Sequence, residues 1–118
     1  MIDPQKAFQF ESLKVESSAD FVSARWKVPN DLPYLNGHFP NQPVVPAVAI
    51  IDAALELLKS AGAAGSKLKR VKNAKFTAPL LPGQTVEIEA MKIIDQEWTI
   101  DFKDPATATM VARLLLVL

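Results

Sequence analysis

Pro46-Ala47-Val48-Ala49-Ile50-Ile51-Asp52-Ala53-Ala54-Leu55-Glu56-Leu57-Leu58-Lys59-Ser60-Ala61-Gly62 is the stretch that decides the fold. Ala47 to Ala61 is rich in Ala, Leu and Ile and reads as a helix. Proline suits the first turn, because its missing N–H would be unpaired there anyway. Gly62 is a stop signal. The helix is apolar on nearly every side, so it belongs in the interior rather than on a surface. Two carboxylates interrupt it. Asp52 and Glu56 lie one turn apart on the same face.

On the N-terminal side, Phe8 to Glu16 alternates loosely and reads as a strand. Ser17-Ser18-Ala19-Asp20 is a turn, and Phe21 to Val28 is a second strand, giving a hairpin. Prolines at 29, 33, 40, 43 and 46 make residues 29–46 a stiff loop. A long loop of this kind inside a compact domain is usually functional. On the C-terminal side, strands are expected over Leu68–Ala78, Thr85–Ile94, Trp98–Phe102 and Thr107–Leu118. Pro82-Gly83, Asp95-Gln96 and Asp104-Pro105 mark the turns between them. Two strands, one buried helix and four strands imply an α+β fold, an antiparallel sheet wrapped around one central helix.

The chain has 118 residues, which fits a single domain over 1–118. Lys plus Arg equals Asp plus Glu, 13 against 13, so no global field points to nucleic acid or an anionic membrane. There is no cysteine, which excludes disulfides, a thiol nucleophile and a Cys-based metal site. The start, Met1-Ile2-Asp3-Pro4-Gln5-Lys6, has no apolar signal region, and no stretch is long enough to span a bilayer. A cytoplasmic, soluble protein is the expectation.

His38 is the sole histidine. It sits in Asn36-Gly37-His38-Phe39-Pro40, within the Pro-rich loop and just ahead of the helix. Imidazole gives and takes protons near neutral pH. Asp52 is a carboxylate on an interior helix, which either finds hydrogen bonds or stays protonated. A solvent-facing or backbone-bonded Asp52 and a poised acid beside histidine are equally open on the residues alone. Glu56 reads as the exposed edge of the helix, paired with Lys59 or solvent. The amides of Ala47 and Val48 have no partner within the helix and are available to a developing oxyanion, as at every helix start.

Together these residues resemble the 3-hydroxyacyl-[acyl-carrier-protein] dehydratase family, which has the hotdog fold. The segment Gly37-His38-Phe39-Pro40-Asn41-Gln42-Pro43-Val44-Val45-Pro46-Ala47-Val48 matches the family's Gly-His-Phe loop and helix start. The helix acid follows the histidine by fourteen residues (52 − 38). Val71 to Gly83 is similar to the family's third strand and Pro-Gly turn. Three positions depart from the pattern: Asn41 and Ala47 stand where the family has Gly, and Glu56 where it often has Gln. Alanine keeps the N–H.

The resemblance implies dehydration of a (3R)-hydroxyacyl thioester on acyl carrier protein, or on coenzyme A, to the trans-2-enoyl thioester, without isomerisation. His38 takes a proton from C2, the amides near Ala47 and Val48 hold the enolate, and Asp52 protonates the departing hydroxyl. No cofactor and no metal are implied. A homodimer or higher homo-oligomer is implied, with His38 of one subunit meeting Asp52 of the other. Phe39, Phe76, Val48 and Leu80 are candidates to line an acyl tunnel, although each of them taken alone reads first as ordinary core. Lys67, Lys69, Arg70, Lys72 and Lys75 form a basic cluster, read either as a rim that steers an acidic carrier or as a solvated strand face. Two other readings stand beside this one: a hotdog acyl thioesterase and a non-catalytic acyl-binding module.

Overall fold

The computed structural model describes residues 8–16, 20–30, 44–62, 67–94 and 96–118. Among the described residues six strands and one helix follow the expected order: β1 (Phe10–Val15), β2 (Phe21–Lys27), α1 (Ala47–Ser60), β3 (Arg70–Phe76), β4 (Thr85–Ile94), β5 (Glu97–Lys103) and β6 (Met110–Val117). The strands form one antiparallel sheet in the order β1-β2-β4-β5-β6-β3. The hairpin of the first two strands is present, with Phe10 opposite Trp26 and Val15 opposite Val22.

Alternation along the strands builds the core. Val22, Ala24 and Trp26 of β2, Val86, Ile88 and Ala90 of β4, Trp98, Ile100 and Phe102 of β5, and Ala112, Leu114 and Leu116 of β6 all point inward and are buried. Ala49, Ile50, Ala53, Ala54, Leu57 and Leu58 of α1 close this layer, and the helix lies nearest β2 and β4. Each fully buried large side chain contributes roughly 1.5–3 kcal/mol. The outer face of the sheet is ionic: Arg25 meets Glu87 at 3.0 Å, Lys103 meets Glu89 at 3.8 Å, and Arg113 grips Asp101 through two bonds of 2.8 and 3.0 Å.

The antiparallel sheet and central helix are as expected. Within the described residues α1 lays one face on the sheet, and its other face is only partly covered in the single chain. Val48 is 55% exposed, and Ile51, Asp52, Leu55 and Glu56 are only half-buried. Pro46 is the cap rather than a helical residue, in an extended conformation, and its carbonyl accepts from the amides of Ala49 and Ile50. At the other end Gly62 adopts φ +67, the left-handed region open to glycine, and its N–H bonds the Lys59 carbonyl at 3.1 Å.

Several strand ends differ from the sequence reading by one to three residues. The last strand starts at Met110 rather than Thr107 because Asp104 organises a turn. Its carboxylate accepts from the Ala106 amide and its carbonyl from the Ala108 amide. The first starts at Phe10 rather than Phe8. The Phe8 ring packs on Trp26 instead, with ring centres 5.5 Å apart.

Candidate functional site

An apolar groove of about 460 Å³ lies at the N-terminal end of α1, lined by Val44, Val45, Ala47, Ile50 and the run Phe76 to Leu80. Three hydrogen-bonded features shape it. Thr77 and Ala78 stay attached to β6, their amides bonding the Val111 carbonyl at 2.9 and 3.3 Å. The Thr77 hydroxyl donates to the Met110 carbonyl at 2.6 Å. The buried Val45 donates its amide to the Leu80 carbonyl at 2.8 Å, which joins the segment entering the helix to the segment leaving β3. The volume falls within the range of small-molecule sites.

The helix start borders this groove through Ala47. Pro46 offers no side-chain cap, and the first turn carries no acidic residue. The amides there are left for an acceptor from outside the helix, and the helix dipole favours a negative one. Asp52 stands little more than a turn further along, half-buried on the face turned away from the sheet, and Glu56 follows one turn later on that face. Among the described residues Glu56 forms no ion pair with Lys59.

The sequence candidates divide accordingly. Ala47, Phe76 and Leu80 line the groove, and Phe76 is 43% exposed with its face toward the helix side of the sheet. Val48 is outside the lining and turned to solvent. His38, Phe39 and Asn41 lie outside the described residues. Val45, Ile50 and Thr77 to Pro79 were not singled out by the sequence. Only the switch from strand to Pro-rich turn at Thr77-Ala78-Pro79-Leu80-Leu81-Pro82 hinted at a wall here. Among the described residues no three His, Asp or Glu side chains gather as a metal site, and no helix is long and apolar enough to cross a membrane.

The basic cluster has a different geometry from a groove rim. Lys75 is adjacent to Phe76 at the groove, while Lys69 and Arg70 sit at the far end of β3. At about 3.3 Å per residue they are roughly 20 Å away. Lys69 bonds Gln96 at 3.2 Å, and Lys72 bonds Glu97 at 2.7 Å. Glu97 is the buried charge that sequence reading passed over.

The sequence pattern of the ApeI-like family, described as ApeI dehydratase, matches residues 14–112. The chain belongs to the ApeI-like dehydratase family. A 3-hydroxyacyl-[acyl-carrier-protein] dehydratase FabZ of Rickettsia akari (strain Hartford) is 37% identical over 86 residues, 66% of this chain and 58% of that relative. The chain therefore spans somewhat over half the length of that relative. The FabZ of Rickettsia rickettsii (strain Sheila Smith) is 32% identical over 106 residues, 83% of this chain and 71% of that one. In structure the chain is similar to the dehydratase heterocomplex ApeI:P from Xenorhabdus doucetiae. The TM-score is 0.79 at 20% identity, covering 98% of this chain and 97% of that one. The hotdog fold expected from the sequence is thus the fold of this ApeI-like dehydratase family member.

Proposed function

We propose that this ApeI-like chain dehydrates (3R)-hydroxyacyl thioesters carried by acyl carrier protein to trans-2-enoyl thioesters. The observation that carries the reading is the apolar groove that ends at the uncapped helix start, with a half-buried carboxylate little more than a turn beyond. An acyl chain fits the groove. The thioester oxygen then lies by the Ala47 and Val48 amides, where enolate charge is stabilised. His38 takes the C2 proton, Asp52 gives its proton to the 3-hydroxyl, and water leaves. Proton return from His38 to Asp52 resets the pair. His38 and Asp52 come from two subunits, so the site is complete only in the assembly. The domain is one unit over residues 1–118, and its setting is the cytoplasm.

The test is product analysis. Incubation with a 3-hydroxyacyl thioester, on carrier protein and on coenzyme A in parallel, yields enoyl thioester. Release of free acid and free thiol would instead identify a thioesterase. Binding without turnover would identify an acyl-binding module.

A further inference from the structure

Gln84 uses all of its polar groups at one corner of the groove wall. Its backbone amide donates to the Leu81 carbonyl at 3.1 Å, and its side-chain oxygen accepts from the Leu81 amide at 3.1 Å. Its side-chain nitrogen donates to the Asp104 carboxylate at 3.4 Å, and its backbone carbonyl accepts from the Val28 amide at 2.9 Å. The side-chain amide can point only one way, because a backbone N–H donates and a carboxylate accepts. Both Gln84 and Asp104 are partly buried.

The bonds with Leu81 close a type II turn. Pro82 stands second and Gly83, at φ +82, stands third, where that turn requires the left-handed region. Leu80, just ahead of the turn, accepts from the Val45 amide two positions before α1, and Gly83 donates to the Val28 carbonyl at 2.7 Å. This one turn therefore meets both the chain leaving β2 and the chain entering α1. The far end of the wall is held at Thr77 by Met110 and Val111. Asp104 sits in the connection that leads into the same strand, with its amide donating to the Thr109 carbonyl at 2.9 Å and its other carboxylate oxygen accepting from Ala106 at 2.9 Å. The wall from Thr77 to Leu81 is thus strung between two points on one support, and Gln84 supplies the side-chain link at the second point.

We propose that Gln84 is a positioning residue. By joining the Asp104 turn to Leu81 it sets where the wall lies against the start of α1, and so where the Ala47 and Val48 amides stand relative to the groove. A displacement of about 1 Å at such a site is enough to lower turnover by about a hundredfold. The effect on turnover rests on the dehydration reading; the coupling itself is a property of the fold.

The test exchanges donor and acceptor. Gln84→Glu keeps the acceptor for Leu81, loses the donor and sets one carboxylate against another. Asp104→Asn alone keeps the acceptor for Ala106 but leaves two donors facing each other. Together the two substitutions restore the bond with its polarity reversed. Amide hydrogen exchange at Val45, read by NMR, is about tenfold faster in each single variant, while the buried Ile100 in β5 keeps its rate. Turnover of an enoyl thioester falls by about tenfold or more in each. In the double variant both quantities return to within about twofold of wild type. Unchanged exchange at Val45 in the single variants, exchange that changes without turnover, equal acceleration at Ile100, or a double variant as impaired as the two singles combined would overturn the proposal. A wild-type chain without turnover sinks the dehydration reading instead, and the exchange measurements then decide the coupling on their own.

Discussion

The two faces of α1 are made of similar residues and have opposite fates. Ala49, Ala53, Leu57 and Leu58 are sealed against the sheet, whereas Val48, Ile51, Leu55, Asp52 and Glu56 remain partly open. The sealed face holds the fold together. The open face carries the carboxylates, while the groove meets the helix at Ala47 and the buried Ile50. The contrast teaches that apolar content does not reveal which side of a helix a single chain buries. What differs is the placing of the two acids, which are confined to one side.

Four substitutions sharpen or break this division. The largest effect belongs to Asp52 on the open face and to its proposed partner His38: His38→Ala and Asp52→Ala each lower hydration of enoyl thioesters by about 10²–10⁴-fold, with circular dichroism unchanged. Turnover at the wild-type rate in either variant would remove the acid–base assignment. The sealed face gives the largest loss of stability. Leu57→Ala costs about 2–5 kcal/mol in urea unfolding, while the half-buried Leu55→Ala costs clearly less. Equal costs would erase the distinction between the faces.

On the sheet, the same contrast is between ion pairs. Lys72→Ala leaves Glu97, itself 8% exposed, without its cation, and costs about 1 kcal/mol by thermal or urea unfolding. That figure is kept small because the lysine is partly solvated. Arg25→Ala breaks a pair exposed on both sides and changes stability by less than about 0.5 kcal/mol. A larger effect for Arg25 than for Lys72 would contradict the burial ranking.

Much of the fold was legible because its punctuation is local. Pro46 and Gly62 bracket the helix, and period-two alternation marks β2, β4 and β5. The turn at Asp104 was legible only in part. Its carboxylate accepts from the Ala106 amide, and the Thr107 hydroxyl accepts from the Thr109 amide and donates to the Thr109 hydroxyl, a bonding choice that composition leaves open. The groove was legible in part: Ala47, Phe76 and Leu80 were candidates and line it, while Val45, Ile50 and Thr77 to Pro79 were not. Leu80 is 1% exposed and its neighbour Leu81 is 45% exposed, and the bond from Val45 to the Leu80 carbonyl fixes that difference. Likewise Lys72 reads as one more cation of a basic run, because its partner Glu97 is remote in sequence and reaches it only after β6 has placed β3 and β5 on either side of itself. His38 and Asp52 stood out by type and spacing, which is chemical information that packing does not hide.

The single bond between the Val45 amide and the Leu80 carbonyl has a mechanical consequence. It fastens the floor on which an acyl tail would lie to the anchor of the helix whose first amides would face the thioester. On the proposed function, widening that floor to admit a bulkier tail would also move the anchor of the amides, so chain-length preference and rate would be geared to each other, and separating them would call for residues beyond this bond, at Phe76 or Ile50.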